Sequence, residues 1–247
     1  MSGAIKTAVI LAAGLGSRLK DRTKEKPKAF LEIDGKTLIH RSIENLLNQG
    51  ITRIIIGTGY LNEFFDNLKN EFPQIETHRN DDYAATGSMY TLYNLKSLIN
   101  EDFLLLEGDL LYEKAALTHL ITDTHQDIVL ASGKTNSNDE VYIEANEQSH
   151  LTNMSKKPSE LNHISGELVG ISKISLSTFN LMCDYAMKLY DKGDRSFHYE
   201  DDFVGISKTK DIFIKKVEGL AWCEIDDENH LNRALEMVYP LIQQRDQ

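Results

Sequence analysis

The chain switches between two hydrophobic periods. Thr7–Ala12, Arg53–Ile56, Asp102–Leu106 and Asp127–Ala131 are short, mostly apolar runs rich in β-formers, the pattern of strands covered on both faces. Ile75–His78 is a weaker run of the same kind. Between these lie helical spacings. Thr37–Asn48 repeats Leu38, Ile39, Ile43, Leu46 and Leu47, with Gly50 as a stop. Leu61–Asn70, Ser88–Ile99 (Met89, Leu92, Leu95 and Leu98 on one side) and Glu113–Thr122 follow the same period. Strands separated by helices of this length predict βαβ units and an α/β fold with a doubly wound, mostly parallel Rossmann-like sheet up to about residue 132.

The pattern changes near Ser132. Residues 134–138 are polar and turn-like. Val141–Glu144, Leu151–Met154, Leu168–Ile174 and Ile212–Val217 read as strands joined by hairpins or loops, a small antiparallel addition at the sheet edge. Leu176–Tyr190 is helical with a broad apolar face, Ala221–Ile225 is a last strand and Glu228–Gln243 a last helix. No repeat or Pro-rich linker divides the chain. One domain over 1–247 is expected, with a core at about 1–132, an addition at about 133–220, and a final strand and helix at 221–247.

Ligands of such sheets sit at the carboxyl ends of strands. Three polar turns fall there: the glycine turn after Ala12, Gly57-Thr58-Gly59, and Glu107-Gly108-Asp109. After the first comes a dense basic run. Between Arg18 and Lys28 stand six basic residues against two acidic ones, in a chain with 27 basic and 38 acidic residues and a net charge of −11. Gly14 and Gly16 allow consecutive N–H groups to point at an anion. The spacing is neither a complete dinucleotide fingerprint nor a phosphate loop of the Gly-Lys-Ser/Thr type, and basic residues on an exposed loop are also simply solvated.

The bulk numbers exclude more than they assign. Hydrophobic residues are 41% and charged residues 26% of the 247, ordinary for a globular protein. The acidic balance argues against nucleic acid as the main partner. No run approaches the ~20 apolar residues of a membrane span, so no membrane insertion is expected, and the N-terminal run is not read as a signal peptide. Two cysteines without metal spacing suit core thiols and a reducing cytoplasm. The eight histidines are scattered without zinc spacing and are assigned no role. Oligomeric state is left open.

Leu11-Ala12-Ala13-Gly14-Leu15-Gly16-Ser17-Arg18-Leu19 followed by Lys26-Pro27-Lys28-Ala29 resembles the signature of the nucleotide-sugar pyrophosphorylase-like nucleotidyltransferases. The resemblance implies the nucleotide-diphospho-sugar transferase type of sheet. It also implies that Leu11, Ala12, Ala13, Gly14, Gly16 and Ser17 wrap a nucleoside triphosphate, with Arg18 and Lys28 as catalytic cations on its phosphates. A proline often found soon after the arginine is absent at Lys20-Asp21. Phe103–Asp109 is an apolar strand ending in two carboxylates around a glycine, and Trp222–Asp227 repeats the idea near the C-terminus. A carboxylate at a strand end beside phosphates is a good Mg²⁺ ligand; capping of the next helix is the alternative for Asp109. The resemblance implies Asp109 and Asp226 as the metal ligands and Mg²⁺ as cofactor, leaving Asp227 as a helix cap.

Arg79–Leu92 resembles the base-reading element of the phosphocholine cytidylyltransferase-like branch. That places Asn80, Thr86, Gly87 and Ser88 near cytosine, with Tyr60 nearby; for Ser88 a helix N-terminus and for Tyr83 surface packing are the alternatives. The same branch implies CTP and a small amine-bearing phosphonate or phosphate as partners. A quaternary ammonium is caged by aromatic faces, whereas a primary ammonium wants oxygen acceptors. Ser196–Phe203 aligns with the head-group segment of the branch but follows Tyr199 with Glu200, Asp201 and Asp202, and the 138–141 stretch offers Glu140 where the branch supplies a tryptophan. The one tryptophan, Trp222, is read as lying elsewhere. Lys156 and Glu167 join Glu140, Tyr199, Glu200 and Asp201 as candidate acceptor ligands; an acidic surface patch and a solvated Lys156-Lys157 turn are the alternatives. The resulting expectation is transfer of CMP from CTP to 2-aminoethylphosphonate. Phosphocholine or phosphoethanolamine as acceptor, a sugar-1-phosphate nucleotidyltransferase, and a non-catalytic nucleotide-binding subunit are the rivals.

Overall fold

A computed structural model describes residues 4–137 and 139–247. Asn138, which the sequence reading included in a turn and in the acceptor stretch, lies outside the described residues. The strands are β1 (Thr7–Ala12), β2 (Glu32–Ile33), β3 (Lys36–Thr37), β4 (Arg53–Thr58), β5 (Ile75–Arg79), β6 (Phe103–Glu107), β7 (Leu110–Tyr112), β8 (Ile128–Ser132), β9 (Tyr142–Ala145), β10 (Leu151–Ser155), β11 (Gly166–Ile174), β12 (Phe213–Val217) and β13 (Trp222–Glu224). The helices are α1 (Leu38–Asn48), α2 (Glu63–Asn67), α3 (Ser88–Asn94), α4 (Ala115–Ile121), α5 (Leu176–Tyr190), α6 (Tyr199–Ile206), α7 (Glu228–Arg233) and α8 (Tyr239–Arg245).

Nine strands form one mixed sheet, with the run β10-β9-β11-β6-β1-β4-β5 and with β8 between β11 and β12. β6, β1, β4 and β5 are mutually parallel. β11 runs antiparallel to both β6 and β8. The antiparallel part is therefore more than an edge: β11 sits within the main sheet, with β9 and β10 continuing it on one side and β8 and β12 on the other, and β12, expected in the antiparallel addition, runs parallel to β8. One edge of β11 carries β6 along Ile171–Ile174 and β9 at Gly166 and Glu167, while the pairing with β8 on its other edge shifts register between Leu168 and Ser172.

Alternation divides the strand residues between two cores. Ala8, Ile10, Ile54, Ile56, Leu104 and Leu106 pack on one face with α1, α2 and α4. Val9, Leu11, Ile55, Phe103 and Leu105 pack on the other with α3, α5 and α6. Each buried Leu or Ile contributes about 1.5–3 kcal/mol of hydrophobic stabilisation, which is why these runs lack polar residues until their carboxyl ends. α1 begins on the Thr37 hydroxyl, which accepts from the His40 N–H, and closes through the Gly50 and Ile51 N–H groups on Leu47 and Leu46 carbonyls.

A third, smaller core matters most for function. Leu19 of the basic loop, Leu111 of β7, Cys223 of β13, and Leu231, Ala234 and Val238 of the C-terminal helices pack together. The short β7–β13 pairing brings residues 110–112 beside 222–224. Leu19 thus ties the basic loop to the chain's last strand. The C-terminal helix runs unbroken over residues 228–245, as expected, but widens by a turn over Ala234–Val238 between α7 and α8, because Pro240 cannot donate to the residue four back and its ring crowds that carbonyl. Both cysteines are free and buried, and burial pushes each thiol up to about 12. No helix among the described residues is long and apolar enough to cross a membrane.

One buried charge stands apart from these cores. Asp202 of α6 is fully buried with both carboxylate oxygens unpartnered. Burial, and after it Asp201, push its carboxyl up to about 8. An unfolded aspartate titrates near ~3.9. Between about pH 4 and pH 8 the folded chain therefore holds a proton that the unfolded chain releases, and stability falls as pH rises. Asp202→Asn removes this term. Urea denaturation should find the variant close to wild type at pH 4 and increasingly more stable toward pH 8, by up to about 1.4 kcal/mol per pH unit. A difference that does not change with pH would contradict the assignment.

Candidate active site

The polar strand ends converge on one cavity of about 460 Å³. Its first wall is the turn after β1. Gly16 has φ 62, and a β-carbon there would meet the side chains of Lys28 and Thr23 at 3.2 Å. Only glycine suits this left-handed, crowded position. The Thr23 hydroxyl donates to the Gly16 carbonyl at 2.8 Å and Leu19 is buried beneath, so the loop is held at both ends. Leu11, Ala12, Ala13, Gly14, Gly16, Ser17, Arg18 and Lys28 all line the cavity.

Lys28 is the centre of the site's charge. Its ammonium contacts Asp109 and lies 2.6 Å from Asp226 and 4.0 Å from Glu224. Burial alone would lower its pKa, but these three acids outweigh it and hold it above the usual lysine range. Asp226 is 4% exposed. Burial would raise its carboxyl, yet Lys28 and Arg18 hold it below the usual range. Arg18 reaches Asp226 at 2.8 Å and Asp139 at 2.6 Å, and Lys156 pairs with the same Asp139 at 2.8 Å. Every cation expected on the phosphates thus faces a carboxylate.

Behind Lys28 lies a group of acids. One oxygen each from Glu107, Asp109 and Glu224 lies within 4.8 Å of the others. Burial, then Glu200 and Asp109, push Glu107 up to about 8; burial, then Asp109 and Glu107, push Glu224 up to about 10. These carboxyls share the Lys28 ammonium, which contacts Asp109 and lies 4.0 Å from Glu224, so a cation arriving here meets more acid than counter-charge. Asp109 Oδ1 is buried with no partner. An orphaned carboxylate oxygen within an all-oxygen donor set fits a hard divalent cation such as Mg²⁺.

The chain matches the family model described as MobA-like NTP transferase domain over residues 8–167. It belongs to that family. The matched span holds the glycine loop, Lys28 and Asp109, while Asp226 lies beyond it, and the molecule is a nucleotidyltransferase. Over 94% of its length the chain is 30% identical to the choline-phosphate cytidylyltransferase of Streptococcus pneumoniae, covering 97% of that protein. It is 36% identical to the 2-aminoethylphosphonate cytidylyltransferase of Lancefieldella rimae over 93 residues, 37% of this chain and 38% of that one. The solved CTP:phosphocholine cytidylyltransferase of S. pneumoniae superposes with a TM-score of 0.81 at 26% identity, over 94% of this chain and 99% of that one.

Not every residue singled out in the sequence lines the cavity of this MobA-like transferase. Thr86, Gly87, Ser88, Glu140, Lys156, Tyr199, Glu200, Asp109 and Asp226 do. Tyr60, Asn80, Glu167 and Asp201 do not. The Tyr60 hydroxyl donates to the Lys24 carbonyl and its N–H to the Ala13 carbonyl, stapling the basic loop. Asn80 is buried; its amide donates to Thr86 and Thr91 and its oxygen accepts from the Asp82 N–H, shaping the loop before α3. Glu167 is buried within β11 and accepts from the Thr135 N–H. Asp201 accepts from the His198 N–H and caps α6.

Other lining residues were not singled out. Glu107 and Glu224 each stand two residues before a predicted metal aspartate, and that repeated spacing was the available signal. Trp222, far in sequence from the stretch where the branch supplies a tryptophan, also lines the cavity, because the β7–β13 pairing carries it in; no local pattern announces so long-range a contact. His230 is buried, accepts from the Asp226 N–H through Nδ1 and donates from Nε2 to the Ser137 carbonyl. It fixes the backbone of Asp226 against the 135–137 segment.

Removing Lys28 strips Asp109 and Glu224 of the ammonium they face and leaves Asp226 paired with Arg18. Lys28→Ala should lose about 3–5 kcal/mol of stability, the cost of stripping one member from a buried ion pair. Urea denaturation in metal-free buffer measures it. A loss below about 1 kcal/mol would place this cluster among solvent-screened surface pairs.

Proposed function

We propose that this nucleotidyltransferase moves CMP from CTP to 2-aminoethylphosphonate, releasing pyrophosphate. The observation that carries the reading is one cavity lined both by Arg18, Lys28 and the glycine loop and by the acids Glu107, Glu200 and Glu224. The cations and the loop suit a polyphosphate. The acids suit an ammonium with three N–H donors.

A phosphonate oxygen is already ionised at neutral pH, so no general base is required. It attacks the α-phosphorus in line. The new P–O bond forms as the bond from the α-phosphorus to the bridging oxygen breaks, and the electron pair leaves with pyrophosphate. Arg18 and Lys28 bind the phosphate oxygens and stabilise the charge that builds on them. Asp109 and Asp226 are the residues that would hold Mg²⁺, which when bound supplies further neutralisation of phosphate charge. Tyr199, Trp222 and Leu168 add apolar lining to the same cavity.

Trp222 supports a second reading. An aromatic wall beside the acids suits the quaternary ammonium of phosphocholine, and the relative matched along nearly the whole chain is named for that substrate. The acids outnumber the aromatic faces here, and Tyr199 spends its hydroxyl on Glu107, at 2.6 Å. These two facts favour the primary amine.

A pyrophosphate-release assay with CTP and equal concentrations of 2-aminoethylphosphonate, phosphoethanolamine and phosphocholine should give the highest kcat/KM with 2-aminoethylphosphonate. Lys28→Ala and Asp226→Asn should each lower turnover by about 10³-fold or more, as loss of a charge-stabilising group does. A preference for phosphocholine would overturn the acceptor assignment, and turnover with another triphosphate but not CTP would overturn the cytidylyl reading.

A further inference from the structure

Ser88 opens α3 on the loop that faces the nucleotide end of the cavity, yet its side chain is committed to another element. The Ser88 hydroxyl accepts from the Tyr199 N–H at 3.1 Å and lies 3.2 Å from His198 Nδ1, to which it donates when that nitrogen is unprotonated. Beside it, the Gly87 N–H donates to the Arg195 carbonyl at 2.8 Å. A β-carbon built on Gly87 would land on the Phe197 carbonyl oxygen. Two consecutive residues thus clamp the segment 195–199, and only a residue without a side chain permits that approach.

The clamped segment leads straight into the acceptor end. Tyr199 is the first residue of α6 and is 1% exposed. Its hydroxyl donates to Glu107 Oε1 at 2.6 Å. Glu107 belongs to the acidic group with Asp109 and Glu224. A continuous chain of contacts therefore runs from the cavity-lining loop at Thr86–Ser88, through the start of α6, to the Glu107 carboxyl that also lines the cavity. A shift of α6 would misplace Tyr199 and free Glu107 to turn, since the phenol is the hydrogen bond that holds it.

We propose that Ser88 is a positioning residue for the acceptor: by pinning the N-terminus of α6 to the nucleotide-facing loop it sets Tyr199, and through Tyr199 the Glu107 carboxyl. The inference rests on the reading above in one respect, that the acidic end receives the acceptor's amine. It assigns Ser88 to the acceptor side, where the sequence suggested cytosine. It also couples the two subsites, because anything that orders the loop at Thr86–Ser88 orders the acceptor wall.

The test compares Ser88→Ala and Ser88→Thr with wild type by two independent readouts. In the unliganded protein, the amides of residues 199–202 in Ser88→Ala should exchange hydrogen about tenfold faster, with the β1, β4 and β6 amides unchanged, because a local opening has become easier. In the assay, the acceptor KM should rise about five- to tenfold, the size of one lost hydrogen bond, while the CTP Kd measured without acceptor stays within about twofold. Ser88→Thr keeps the hydroxyl and should restore both. Unchanged exchange at 199–202 would overturn the clamp. A loss of CTP affinity equal to the rise in acceptor KM would return Ser88 to the nucleotide. If the wild-type enzyme turns over none of the three acceptors, the functional reading fails and the exchange measurement still decides the clamp.

Discussion

The ammonium of Lys28, held between Asp109 and Asp226, is the contact around which the molecule is organised. Its three members come from residue 28, from the end of the central strand β6 and from the end of β13. Bringing them together requires β1 and β6 as neighbours, the β7–β13 pairing, and the third core that binds Leu19 to the C-terminal helices. A buried ion cluster is poor evidence of stability, because desolvation cancels much of the attraction. Its persistence at one end of the sheet therefore points to chemistry. The same burial that makes the cluster costly makes each charge effective on a phosphate that enters it.

Much of the fold was legible because the strands are short, apolar and covered on both faces. β1 and α5 fall where periodicity put them, since Thr7–Ala12 and Leu176–Tyr190 have no competing pattern. The misses have physical reasons. β7 is three residues long and exists through its pairing with β13, more than a hundred residues away. α6 begins inside a stretch read for its charges, and those charges turned out to cap the helix: Asp201 takes the His198 N–H. β11 looked like an edge hairpin strand, but its both-face burial shows it is interior.

The site was legible in its charges and less so in its hydrogen bonds. Glycines, lysine and aspartates at strand ends are local signals, and Gly14, Gly16, Arg18, Lys28, Asp109 and Asp226 meet in one cavity. Asn80, Glu167 and Tyr60 were singled out for their chemistry, but each spends its polar atoms on backbone or neighbouring side chains that shape a loop. Sequence spacing cannot say whether an amide faces a ligand or its own turn. The repeated spacing of Glu107 and Glu224 before Asp109 and Asp226 is a local signal too, but only the fold lays the two strand ends side by side and gathers these acids at Lys28.

The contrast between an acidic chain and a basic loop follows from the range over which charge acts. At physiological ionic strength the Debye length is about 8 Å. The net charge of −11 is a sum over the chain, and charges farther away than that distance are largely screened. The basic loop is compact, so an approaching triphosphate meets it within one Debye length. Even there most cations are engaged: Arg22 with Glu228, Lys24 with Asp21, Lys26 with Glu32, and Arg18 with Asp139 and Asp226. The exposed pairs contribute little to stability and are readily exchanged. A polyanion replaces several carboxylates at once, while a monoanion replaces one at a time. Of the loop's cations Arg18 and Lys28 line the cavity, so a phosphate that enters it meets both already paired with Asp109, Asp139 and Asp226 and must compete with several carboxylates at once.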